Sequence, residues 1–127
     1  ELYAIILIGL AGKERSTDNA FATADILNKI QPADLASMTY TPVPGTRMYQ
    51  EIEQGKFHIL NDTECLMETR TLVENLQVPN LHFTSNHASN YVSIDGILPK
   101  DKEEILRTLD NAIAGNIPKR PSSQRGL

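Results

Sequence analysis

Residues 2–9 read LYAIILIG: eight positions without a charge, three of them isoleucine. A run this short and this rich in branched side chains is a strand. One without polar alternation is the kind that a parallel sheet covers on both faces. The apolar stretch extends only to Gly12, far short of the roughly 20 residues of a membrane helix. It also lacks the charged start and cleavage site of a signal peptide.

Downstream of this strand the sequence supports an alternation of strands and helices. LAGKERSTDN is a turn in which Ser16 or Thr17 can cap a helix and Asp18 suits its first turn. Phe21, Ala24, Leu27 and Ile30 suggest an apolar stripe, closed by Gln31 before Pro32. A second strand is expected from Asp34 to Thr41, ending in the turn of Pro42, Pro44 and Gly45. A short helix carries Met48, Tyr49 and Ile52 on one face and stops near Gly55. Asn61 with Glu64 three residues on has the capping-box spacing, and the helix it opens points Leu66, Leu72, Val73 and Leu76 inward to about Leu76. NLHFTS is a third strand. A last helix starts near Pro99, carries Ile105, Leu106, Leu109, Ala112 and Ile113 inward, and ends at Gly115.

The expected order is therefore β-α-β-α-α-β-α, an α/β fold with mainly parallel strands. Residues 1–117 form one unit. Residues 118–127, rich in Pro, Ser and Gln, read as a flexible tail. Three strands make a small sheet whose edges lie open, which suggests a homodimer or a piece of something larger.

Composition narrows the chemistry. Sixteen acidic against 12 basic residues leave a net charge of −4, and no basic cluster recommends nucleic acid as a partner. One cysteine, Cys65, excludes an internal disulfide and fits a reducing cytoplasm. At the start of a helix its thiol pKa should fall, yet a small core residue is the simpler reading. His58, His82 and His87 are too scattered for a metal site, so no metal is expected. His82 reads as a satisfied, half-buried strand residue. Gly9, Gly12 and Lys13 lie where phosphate loops occur but lack the Walker spacing. Ser85–Tyr91, SNHASNY, packs polar side chains just after a strand. Its members serve as turn formers, or they line a site where α/β folds place their chemistry.

Several landmarks taken in order resemble one family. IILIGLAGKERS, then LNKIQPADLASMTYTPVPGTRMYQEIEQGKF, and HFTSNHASNYVSIDGILPKDKEEIL are similar to the C-terminal region of radical S-adenosylmethionine (SAM) enzymes. The likeness is to the Elongator-subunit and methylthiotransferase group and to coproporphyrinogen III oxidase-like Fe-S oxidoreductases, and it covers roughly Ile5 to Ala114. Gly9 with Gly12, and Pro44-Gly45-Thr46 with Tyr49, carry it. It implies a partial (β/α) barrel. Ile8, Gly9 and Leu10 would border SAM, Gly12 would hold the turn, Thr39 and Tyr40 would flank the pocket, and Asn86, His87, Asn90 and Tyr91 would face the substrate. No catalytic residue is singled out. Family members hold a 4Fe–4S cluster in a Cys-x3-Cys-x-x-Cys loop that this chain lacks. The resemblance thus implies the C-terminal part of an oxidoreductase, inactive alone, whose partner is the missing N-terminal barrel portion and whose small-molecule substrate is unknown. The alternative is a complete small α/β binding or interaction module.

Overall fold

A computed structural model of the chain describes residues 1–121 and 124–125. The described residues form an α/β fold of four helices and a mixed sheet of four strands. Strand β1 (Tyr3–Ile8) is followed by a 3-10 turn (Lys13–Arg15) and helix α1 (Ser16–Ile30). Then come β2 (Asp34–Thr39), α2 (Arg47–Glu53), α3 (Asp62–Asn75), β3 (Leu81–Thr84), β4 (Asp95–Leu98) and α4 (Lys102–Ile113). The sheet order is β1-β2-β3-β4. The first three strands are parallel, and β4 returns antiparallel to β3.

The fourth strand corrects the expected three. DGIL is four residues long and contains a glycine, so it carries no strand signature of its own. Its place is set by packing: a Cβ on Gly96 would come within 2.9 Å of Ile105 Cδ1, so the missing side chain lets α4 settle on the strand.

Alternation along the strands sorts the sheet into two unlike faces. Ile8, Leu35, Phe83, Leu81 and Leu98 point to the side packed with Ala24, Leu27, Leu72, Val73, Leu76 and Leu109, and all are buried. Tyr3, Ile5 and Leu7 point the other way, with Ile5 71% and Tyr3 65% exposed. Asp34, Ala36 and Met38 of β2, His82 and Thr84 of β3, and Asp95 and Ile97 of β4 share this second face by register. No helix of the described residues covers it. The expectation that residues 2–9 are buried on both sides is therefore corrected: the strand is apolar on both faces, and only one has a layer on it.

Helix α3 follows its sequence signals closely. Asn61 accepts from the Glu64 amide at 2.8 Å while Glu64 Oε1 accepts from the Asn61 amide at 2.9 Å, a complete capping box. Leu66, Leu72, Val73 and Leu76 are buried, as are Ile105, Leu109 and Ala112 of α4. Helix α1 departs from its expected stripe. Ala20, Ala24 and Leu27 are buried, whereas Phe21 and Ile30 are exposed. At about 100° per residue, positions 21 and 30 stand on opposite sides of a helix, so three successive steps of three residues cannot form one face. Nor does Ser16 or Thr17 cap it; the Ser16 hydroxyl donates to Glu68 of α3 instead.

Candidate functional site

The strand ends of β1 and β2 meet at a crevice of about 60 Å³, lined in part by Gly9, Thr39, Tyr40, Cys65, Tyr91 and Arg125. After β1 the chain turns sharply: the Gly12 amide donates to the Gly9 carbonyl at 3.2 Å, and both glycines take positive φ, 88° and 84°. A Cβ on Gly12 would stand 3.0 Å from the Phe57 ring, so this glycine serves both the turn and its aromatic cover. Glu14 and His58 pair across the same junction, and this hydrogen bond holds the Glu14 carboxyl below its usual range.

Beneath the turn lies Glu68, a buried carboxylate on α3. It accepts the Gly9 amide at 3.0 Å and the Ser16 hydroxyl at 2.6 Å. Two donors meet its two oxygens, which is what a buried charge requires. Cys65, one turn earlier, faces the crevice floor. Burial, then the nearby Glu68 charge, pushes its thiol up to about 12, opposite to the fall expected from a helix start. The thiol is buried in the core and held protonated there.

The polar loop 85–91 has a legible task. Strand β2 pairs with β3 only over Asp34–Ala36 and His82–Thr84, so the last residues of β2 face a gap in the ladder. Asn90 fills it: its Nδ2 donates to the Ser37 carbonyl and its Oδ1 accepts from the Thr39 hydroxyl, each at 2.8 Å. Ser89 Oγ accepts the Thr39 amide at 3.1 Å. Two loop side chains thereby stand in for a strand. His87 turns inward on the loop itself, its Nδ1 accepting the Ser89 amide at 3.1 Å.

The segment expected to be a flexible tail crosses this loop. The Arg120 amide donates to the Tyr91 carbonyl, and its guanidinium donates to the carbonyls of His87 and Asn90. Arg125 Nε donates to the Ser89 carbonyl at 2.9 Å, and its guanidinium carbon lies 3.8 Å from the Tyr91 ring centroid. Burial raises both Tyr91 and Tyr40 above the usual phenol range.

The structure thus brings Gly9, Thr39, Tyr40 and Tyr91 together. Ile8 points into the helix-side core, Leu10 is exposed, and Gly12 sits under Phe57. Asn86 and His87 lie outside the crevice, and Asn90 is a buried tie behind it. Sequence reasoning misses Glu68 and the two tail arginines. Glu68 has a signal, since it lies three residues after Cys65 and four before Leu72 on the inward face of α3. Arg120 and Arg125 have none, because a Pro- and Ser-rich segment reads as unstructured.

Compared with protein-family models, curated proteins and solved structures, the chain matches none. Among the described residues no cluster of three or more His, Cys, Asp and Glu is placed to hold a metal. No described helix is long and apolar enough to cross a membrane.

Proposed function

We propose that this chain is the C-terminal part of a radical SAM Fe-S oxidoreductase, supplying barrel wall and one side of the SAM and substrate pocket. The observation that supports it is the bare sheet face. In a (β/α) barrel the helices lie outside and the inner faces of the strands look across at other strands. Here Tyr3, Ile5 and Leu7 of β1 lie uncovered, with Ala36 and Met38 beside them on β2. The outer edge of β1 has no strand beside it among the described residues. Further parallel strands added at β1 would cover both.

The chain's residues do not fit the iron–sulfur cluster. Such a cluster needs three thiolates, and the single cysteine is a buried core thiol. For SAM they offer one wall only. A pocket enclosing a molecule of that size measures about 300–1,000 Å³, and the crevice holds about 60 Å³. Gly9, lacking a side chain, lets a flat group lie on the backbone, and Thr39, Tyr40 and Tyr91 border the same opening. This chain's part is to bind and orient, and the radical chemistry belongs to the cofactor.

The rival reading, a self-sufficient binding module, draws on the closed helix-side core, where Leu35, Leu81, Phe83 and Leu109 are fully buried. Calorimetry with SAM on the 127-residue chain, beside a protein extended upstream and reconstituted with iron and sulfide, separates the two. SAM binding and cluster absorbance in the extended protein alone support the fragment. Absence of a cysteine loop upstream, with a stable monomer for the short chain, leaves the binding module.

A further inference from the structure

On the bare face, His82 of β3 stands between two carboxylates. Its Nδ1 lies 2.9 Å from Asp34 Oδ1 on β2, and its Nε2 lies 2.7 Å from Asp95 Oδ1 on β4. A neutral imidazole carries one N–H and one lone pair. Either tautomer would leave one nitrogen facing a carboxylate with no proton between them. Only the doubly protonated ring donates to both.

From β1, Tyr3 lies opposite Asp34 in register, and its hydroxyl donates to Glu1 at 3.2 Å. Among the described residues, neither Asp34 nor Asp95 has another cationic partner within ion-pair distance. The face therefore sets Asp34 and Asp95 on either side of a single histidine. Losing its proton removes one donor and leaves the carboxylates to repel each other.

The position gives that proton a mechanical consequence. Strand β4 pairs with β3 over only four residues, Leu81–Thr84 against Asp95–Leu98, and nothing lies on its outer edge among the described residues. Asp95 is its first residue. Just above, the Ser85 amide donates to the Ile94 carbonyl at 2.7 Å, closing the loop that carries Ser89, Asn90 and Tyr91. A short strand at a sheet edge opens more readily than the central strands, and the tie to His82 adds to the hold that buried Ile94 and Leu98 give it.

We propose that His82 is a proton-operated pin, which when charged ties β4 and the loop before it to the β2–β3 pair and when neutral holds them less firmly. The hydrogen bonds with Asp95 and then Asp34 hold the imidazole above its ordinary range, in keeping with this. A raised folded value means that the stabilisation is complete below about pH 6.5, the unfolded histidine value. It is lost as pH rises through the folded one. The proposal does not rest on what the crevice binds.

The test uses the 127-residue chain and the nitrogen chemical shifts of its imidazoles, with His82→Gln assigning the signal among the three histidines. His82 should titrate above about 6.5, and Asp95→Asn and Asp34→Asn should each lower its midpoint. Amide hydrogen exchange supplies a second reading. The protection factor of β4, the ratio of its intrinsic to its observed exchange rate, should fall as His82 deprotonates, by roughly tenfold for each unit by which the midpoint exceeds about 6.5. In His82→Gln that ratio should not change with pH. A midpoint at or below about 6.5, a midpoint unmoved in Asp95→Asn, or β4 protection that ignores pH in the wild type would each overturn the proposal.

Discussion

Replacing Asn90 by alanine tests the claim that loop side chains complete the sheet. Asn90 is 4% exposed, and its two side-chain bonds, to the Ser37 carbonyl and the Thr39 hydroxyl, are both buried. Each such bond contributes about 0.5–1.5 kcal/mol net, and a buried partner left unsatisfied costs about 1–3 kcal/mol. The Thr39 hydroxyl can rotate towards another acceptor, but the Ser37 carbonyl cannot move without its strand. The expected loss is therefore about 2–4 kcal/mol. At about 2.1 cal/mol/K of unfolding entropy per residue, a chain of this length loses roughly 4 °C of Tm per kcal/mol, so the fall should be about 7–15 °C. Urea and thermal unfolding followed by circular dichroism measure it. Asn90→Asp should lose a comparable amount, since a carboxylate would face the Ser37 carbonyl with no proton to offer. Asn86→Ala, at an exposed position in the same loop, should stay within about 0.5 kcal/mol. If Asn90→Ala costs less than about 1 kcal/mol, or no more than Asn86→Ala, the loop is not acting as a substitute strand.

Burial sets two further outcomes. Ile5→Thr should change stability by less than about 0.5 kcal/mol, because the side chain is 71% exposed, whereas Leu35→Ala at the paired strand's core should cost about 2–5 kcal/mol; equal losses in chemical denaturation would mean that the second face is covered after all. With the Cys65 thiol pushed up to about 12, the folded chain keeps a proton that the unfolded chain gives up near about pH 8.5. Stability should then fall with rising pH above that point, by at most about 1.4 kcal/mol per unit from this group. The slope should be shallower in Cys65→Ala, and an identical pH profile in the two proteins would show that the thiol is not held neutral by the fold.

How much of the molecule is legible in its sequence depends on where each signal lives. The capping box of Asn61 and Glu64 and the inward residues of α3 and α4 are local patterns, so the structure keeps them intact. Thr46 caps α2 by accepting the Tyr49 amide at 3.2 Å, a contact that the Pro-Gly-Thr sequence contains but that reading it only as a turn misses. The crevice is only partly readable. Gly9, Thr39 and Tyr40 stand at strand ends, where position alone suggests a site. Arg125 reaches the crevice from a segment far beyond Tyr91 in the chain, with no periodicity to announce it.

Local chemistry by itself determined that the chain alternates strands with helices, where α3 begins, and that one cysteine cannot ligate a cluster. These depend on side-chain period, backbone capping and residue counts, all properties of neighbours in the chain. Tertiary structure alone decided that residues 3–8 are covered on one face and bare on the other, because an apolar strand looks the same whether or not a layer is packed on it. It also recruited DGIL as a strand, through the close approach of α4 at Gly96. And it brought His82 between Asp34 and Asp95, residues 48 and 13 positions away, which only the strand register could place on one face.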